Sequence, residues 1–243
     1  CSSDLNVQMF SHNTWWSPGW QSSLVGSNNV PAWNGIGVQR AQSGRSDSEW
    51  LSWLGPWSYE WFVAQAQDPK VVAVGQPTGY LYTGLRITAK PTPWLEVAAT
   101  KMMQGGGKGR SEGLKAYIHN LTGKGANADT VEQQASDPGN ALAGFDLRLS
   151  CGPLGWRCAF YAQAMGEDAV SAGLGLPMPY RFLTLAGVES WSADGRHRWF
   201  AEYADTHCQV RGNPYSGNYP FGTSGCAYIN GQYPQGETNA TRW

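Results

Sequence analysis

The chain has 243 residues, including 31 Gly and 13 Trp, with 14% charged residues and a formal net charge of -1. A soluble α/β enzyme carries about a quarter charged residues, so the composition points instead to β-rich architectures, either a membrane barrel or a sugar-binding sandwich. A near-neutral chain with no Lys/Arg stripe excludes nucleic acid as a partner. No run reaches the roughly 18 to 20 apolar residues of a membrane helix, which leaves open a barrel crossed by strands of about ten residues.

The chain starts Cys1-Ser2-Ser3-Asp4-Leu5. A mature lipoprotein begins with Cys, which is one reading. The other is that a common sequencing-adapter end encodes these residues in one frame. Residues 1–5 are expected to be non-native, because the text from Val7 onward reads as mid-protein strand. Next comes Trp15-Trp16-Ser17-Pro18-Gly19-Trp20, three indoles at a tight turn, followed by Asn28 and Asn29. Indole faces pack against the C–H faces of sugar rings while amides bond their hydroxyls. An aromatic girdle at a membrane interface uses the same residues, and the residues alone leave both readings open.

Strands are read from alternation. Trp57, Tyr59, Trp61 and Val63 share one face, opposite Ser58 and Glu60. Leu95, Val97 and Ala99 oppose Glu96, Ala98 and Thr100. Ala141, Ala143, Phe145, Leu147 and Leu149 oppose Asp146, Arg148 and Ser150. A hairpin over Phe182–Thr206 turns at Asp194-Gly195, a type I′ signal. Its first arm sets Phe182, Thr184, Ala186 and Val188 against Glu189; its second sets His197, Trp199, Ala201 and Tyr203 against Arg198, Phe200, Glu202 and Ala204. Inner-face charges such as Asp146, Arg148, Arg198 and Glu202 are costly in a dry sandwich core and ordinary in the wet lumen of a barrel. Long irregular segments are expected over Pro18–Glu49, Gly105–Pro138 and Thr206–Trp243. The second holds a short helix capped by Ser111 and ended by Gly123, with Leu114, Tyr117, Ile118 and Leu121 on one face. No repeat or linker divides residues 1–243, which read as one partial barrel domain.

No CxxC pair is present, which disfavours a zinc ribbon. Cys151 and Cys158 bracket a turn-like insert, and Cys208 and Cys226 bracket a Gly/Pro/Asn/Tyr-rich loop. Local pairs Cys151–Cys158 and Cys208–Cys226 suit an oxidising compartment; four unpaired buried thiols are the alternative. Glu167 and Asp168 are adjacent carboxylates. A glycosidase needs its two carboxylates on opposite sides of the bond, about 5 to 10 Å apart, so hydrogen bonding at a strand end or loop fits this pair better. His12, His119, His197 and His207 lack metal-ligand spacing. Gly105-Gly106-Gly107-Lys108-Gly109 lacks the Ser/Thr and helix of a phosphate loop.

Several segments together resemble the Wzi family of capsule-assembly outer-membrane proteins: Trp15-Trp16-Ser17-Pro18-Gly19-Trp20, Ser27-Asn28-Asn29, Leu51-Ser52-Trp53-Leu54-Gly55-Pro56-Trp57, Trp94-Leu95-Glu96-Val97-Ala98-Ala99-Thr100, Gly139-Asn140-Ala141-Leu142-Ala143-Gly144-Phe145-Asp146, Gly166-Glu167-Asp168 and Glu202-Tyr203-Ala204-Asp205-Thr206. Their order and spacing carry the match. The resemblance implies an all-β, antiparallel transmembrane barrel of outer-membrane type, 18-stranded at full length, with an associated periplasmic helical portion. It implies no catalytic residue and no cofactor. Family members are about twice as long, so the chain resembles a middle portion. Two departures stand out: Ser17 occupies a position where Gly is expected, and the Cys-bracketed loops are not a general feature of the family.

The expected function is non-enzymatic. A monomeric, lectin-like protein in outer-membrane lipid would bind capsular polysaccharide or exopolysaccharide and attach it to the cell surface. The candidate contacts are Trp15, Trp16, Trp20, Asn28, Asn29, Glu167 and Asp168. One alternative is a porin-like channel or polysaccharide export component, separable by conductance. The other is a secreted β-sandwich carbohydrate-active enzyme, which would lose hydrolysis in Glu167→Gln or Asp168→Asn.

Overall fold

The computed structural model describes residues 5–12, 15–25, 33–40, 43–45, 48–65, 79–107, 111–122, 139–171 and 177–205. Nine strands form one sheet: β1 Leu5–His12, β2 Trp33–Arg40, β3 Trp57–Gln65, β4 Leu81–Thr92, β5 Leu95–Gly105, β6 Gly139–Ser150, β7 Cys158–Ser171, β8 Pro177–Trp191 and β9 Arg198–Asp205. They pair antiparallel in sequence order from β1 to β9. This up-and-down order is that of a barrel wall. Among the described residues β1 and β9 are edges, and no pairing closes them.

The two ends of the sheet differ. At one end three of the connections are short, Pro93 and Trp94 between β4 and β5, the Cys151–Arg157 turn between β6 and β7, and Ser192–His197 between β8 and β9, while the fourth, residues 41–56 between β2 and β3, is longer and holds the 3-10 helix Glu49–Leu54. At the other end lie the longer connections β1–β2, β3–β4 and β5–β6, together with the five residues 172–176 between β7 and β8. The β4–β5 hairpin carries a register shift between Ala89 and Thr92, next to Pro91, which has no N–H to give to a ladder.

The pleat sorts residues by face as the alternation predicts. Exposed on the outer face are Val7, Met9, Ile36, Ile87, Phe145, Leu147, Phe160, Phe182, Val188 and Tyr203. A continuous apolar exterior of this kind is unfavourable against water and expected against lipid. The core lies on the other face, where Phe62, Ala64, Tyr82, Met102, Leu142, Tyr161, Met165, Leu183 and Leu185 pack with Trp16, Leu24 and Val25.

Two expectations are corrected. The stretch Pro18–Glu49 is not irregular throughout: β2 occupies Trp33–Arg40. Its Gly35 and Gly37 hide the alternation, and Gly35 is required because a Cβ there would stand 2.4 Å from the Val63 carbonyl oxygen. The Asp194-Gly195 signal also marks a longer turn than a two-residue one. Gly195 N–H donates to Ser192 O at 3.0 Å, with Gly195 at φ 70. The Asp194 carboxylate accepts from Ser192 Oγ and Arg196 N, and these local bonds favour the wider loop. The helix α1, Leu114–Thr122, forms within the expected segment, but its first turn opens at Gly113, whose carbonyl accepts from Tyr117 N at 3.0 Å, two residues past the expected cap Ser111; Gly123 lies outside the described residues. Cys151 and Cys158 are joined by a disulfide, whereas Cys208 and Cys226 lie outside them.

Candidate functional site

The inner face is stratified. Toward the long-connection end it is apolar, with Phe62, Tyr82, Met102 and Leu142 in neighbouring strands. Toward the short-turn end it carries Glu60, Arg86, Asp146, Arg148, Glu189, Arg198 and Glu202. The expectation of a charged inner face therefore holds for one half of the strand length only.

Among the described residues the buried charges on this face are paired. The Arg86 guanidinium donates to Asp146 through Nη1 at 2.7 Å and Nη2 at 3.0 Å, and Nη1 also meets Thr100 Oγ1 at 2.7 Å. Arg148 pairs with Glu189, whose side chain is fully buried. Such bidentate and paired geometry is what makes buried ions tolerable. The pairs reach across an intervening strand: Arg86 and Asp146 flank β5, Arg148 and Glu189 flank β7, and Tyr161 and Glu202 flank β8. Tyr161 crosses β8 over Gly187, where a Cβ would stand 2.3 Å from its ring, and its hydroxyl donates to Glu202 Oε1 at 2.8 Å.

Residues Trp15–Val25, from the β1–β2 connection, lie along this inner face as an internal strap. Trp16 is buried, its ring centroid 5.3 Å from that of Phe62, and its Nε1 donates to Glu60 Oε2 at 3.0 Å. Gln163 holds both limbs of the strap: its Nε2 donates to Trp16 O at 2.7 Å and its Oε1 accepts from Leu24 N at 3.2 Å. Glu202 accepts the backbone N–H groups of Trp20, Gln21 and Ser22. Trp20 Nε1 donates to Glu189 Oε2 at 2.7 Å, and the Arg198 guanidinium stacks 3.7 Å from a Trp20 ring centroid, a cation–π contact. Trp15 Nε1 closes the turn on Gly19 O at 3.0 Å. Ser17 accepts from Gly19 N and donates to Ser22 O, two bonds a glycine at this position could not make.

The structure thus brings Trp15, Trp16 and Trp20 together, inside the sheet rather than in an outer girdle. Glu167 and Asp168 lie elsewhere, in β7 beyond Gly166, with Asp168 opposite Tyr180. Asp168 is five residues past Gln163, about 17 Å along the strand toward the long connections. Asn28 and Asn29 lie outside the described residues. Sequence reasoning missed the strap and its anchors Gln163 and Glu60 as a unit. The available signal was that Glu60, Glu189 and Glu202 all occupy inward positions. Among the described residues no cluster of three metal-ligating side chains occurs.

Residues 3–243 match the sequence model of a family described as capsule assembly protein Wzi. The chain is similar to an uncharacterized 55.8 kDa protein in the cps region of Klebsiella pneumoniae, 34% identical over 198 residues, covering 81% of this chain and 36% of that protein. It is also similar to the solved structure of Wzi, described as an outer membrane protein involved in group 1 capsule assembly in Escherichia coli and as a carbohydrate-binding β-barrel. That likeness has 30% identity and a TM-score of 0.67 over 84% of this chain and 41% of the other. The chain therefore spans about two fifths of the length of these relatives.

Proposed function

The chain belongs to the Wzi capsule assembly family, and from that premise we propose that it is part of a monomeric outer-membrane β-barrel that binds capsular polysaccharide or exopolysaccharide and attaches it to the cell surface. The observation that carries the reading is the two-sided sheet: apolar outside, ion-paired and strapped inside. An open channel needs a wet lumen, and the lie of Trp15–Val25 along the inner face supports binding over free passage. Barrels of this class place short turns on the periplasmic side and long loops outside. The β1–β2, β3–β4 and β5–β6 connections then face the medium, where a polysaccharide is met. Exposed Trp53, Trp94, Trp156 and Trp199 at the short-turn end form the aromatic belt on the periplasmic side of the lipid.

Within this reading Glu167, Asp168, Asn28 and Asn29 serve the sugar-facing end, hydrogen bonding to hydroxyls. Trp15 and Trp20, both partly exposed, face the lumen beneath it, while Trp16 anchors the strap. In the same proposal residues 1–243 are one barrel portion. The test is equilibrium binding of the purified intact protein to capsular polysaccharide, with conductance measured in a planar bilayer. Binding with little current supports the proposal; steady current without binding supports the channel alternative.

A further inference from the structure

The strap Trp15–Val25 contains no charged residue, so its hold on the wall comes from hydrogen bonds and ring contacts, not ion pairs. Three of the wall side chains that bond it, Glu60, Glu189 and Glu202, are carboxylates that accept. Among the described residues Gln163 is the wall side chain that also donates to the strap. It is 1% exposed. Its Nε2 meets Trp16 O at 2.7 Å and its Oε1 meets Leu24 N at 3.2 Å. Trp20 lies midway in the chain, four residues from each. One side chain therefore clamps the neck of a loop whose apex is Trp20, and closing the neck restricts how far the limbs can swing apart.

The amide does this in one orientation only. Turned over, it would set its oxygen against the Trp16 carbonyl and its NH2 group against the Leu24 N–H. The wall decides which way it stands. The Arg86 guanidinium holds both oxygens of Asp146, which keeps that side chain an ionised acceptor. Asp146 pairs with Gln163 across β6 and β7, and its Oδ2 lies 3.5 Å from Gln163 Nε2. An amide oxygen in that place would face a carboxylate, so the NH2 group takes it and Oε1 is left for Leu24. On the other flank stands Leu185, whose side chain offers no hydrogen bond. A line of contacts thus runs from an ion pair in the wall, through one amide, to the strap.

The apex is the open part of this loop. Trp20 is 44% exposed, whereas Trp16 and Leu24 are buried. Its Nε1 is committed to Glu189 and a ring face to Arg198, so the remaining indole surface is held in a set orientation. Indole surface suits the C–H faces of a sugar, and a contact fixed before the ligand arrives binds more tightly.

We propose that Gln163 is a positioning residue for polysaccharide binding, acting through the strap on Trp20 and touching no sugar itself. The inference rests on the polysaccharide-binding reading and adds the residue that sets its geometry. Gln163→Met keeps the side-chain length, deletes both bonds and leaves the Trp16 carbonyl buried without its donor. The intact protein, Gln163→Met, Trp20→Ala and the double variant are compared in equilibrium binding to capsular polysaccharide purified from the strain that carries the gene. Each single change should weaken binding by about tenfold. The double variant should bind no more weakly than the weaker single one, because both changes remove the same contact. Urea midpoints are read in parallel. If Gln163→Met lowers the midpoint of the sheet, Gln163→Asn takes its place, since its amide is one methylene too short to reach both limbs. Unchanged binding in either single variant, or losses that add in the double variant, would overturn the inference and leave the binding function intact. Failure of the unaltered protein to bind the polysaccharide would overturn both.

Discussion

Replacing Glu202 with Gln removes the charge that holds the strap while preserving side-chain size. In the native arrangement Oε1 accepts Trp20 N and Tyr161 Oη, and Oε2 accepts Gln21 N and Ser22 N. An amide has one acceptor oxygen, so whichever way it turns, two of these four donors face an NH2 group. Hydrogen bonds to a charged acceptor contribute about 1.5–3 kcal/mol each. Glu202 is half-buried, so water replaces part of the loss and about 2–3 kcal/mol remains. At about 1.4 kcal/mol per tenfold, Glu202→Gln raises the released fraction of the strap about 30- to 150-fold. Hydrogen exchange by mass spectrometry on the intact protein reads this directly. Peptides covering residues 15–25 should lose protection by that factor while those from β5–β7 keep theirs. Unchanged exchange in the strap, or an equal rise throughout the sheet, would refute the idea of a local latch.

Other perturbations test different parts of the structure. Asp146→Ala leaves Arg86 buried without its partner and should cost about 3–5 kcal/mol, visible as a lower midpoint in urea unfolding; an unchanged midpoint would mean the pair is solvated. Gly187→Ala places a methyl against the Tyr161 ring and should cost about 1–3 kcal/mol, again read by urea unfolding. Reducing Cys151–Cys158 opens a loop with a sequence separation of 7, and chain-entropy reasoning gives a loss of about 2.5 kcal/mol, measured as the shift between oxidised and reduced midpoints. Ser192 Oγ and Arg196 N hold the Asp194 carboxyl below its usual value. Its contribution to the turn is therefore present above the ordinary aspartate range and is lost as pH falls through the lowered value, so the Gly195 amide resonance should move only in acid; movement near neutral pH would contradict this.

The parts of the fold readable in the sequence are those set by nearest neighbours along a strand. Trp57 to Val63 and Ala141 to Leu149 disclosed their faces because period-two alternation is local, and Cys151 and Cys158 lie close enough in sequence to suggest their pairing. β2 was hidden because Gly35 and Gly37 take the inward positions and leave only Ile36 and Val38 to signal a strand. The apolar half of the interior was hidden for a different reason. Phe62, Met102 and Leu142 stand beside outward apolar residues, so alternation fades where both faces are covered. The strap could not be read at all: Glu202 meets residues 180 to 182 positions away, and only the folded sheet supplies that proximity. For the candidate sugar contacts, residue type suggested Trp15, Trp16 and Trp20 as a group. The fold shows that Trp16 spends its ring on Phe62 and its N–H on Glu60.

The central claim is that the intact protein holds polysaccharide on the cell. It is tested most directly by deleting the gene in an encapsulated strain and measuring cell-bound and released polysaccharide, with the intact gene restored in parallel. The account predicts that cell-bound polysaccharide falls, released polysaccharide rises by a matching amount, and restoration reverses both. Cell-bound polysaccharide that stays unchanged after deletion would contradict it.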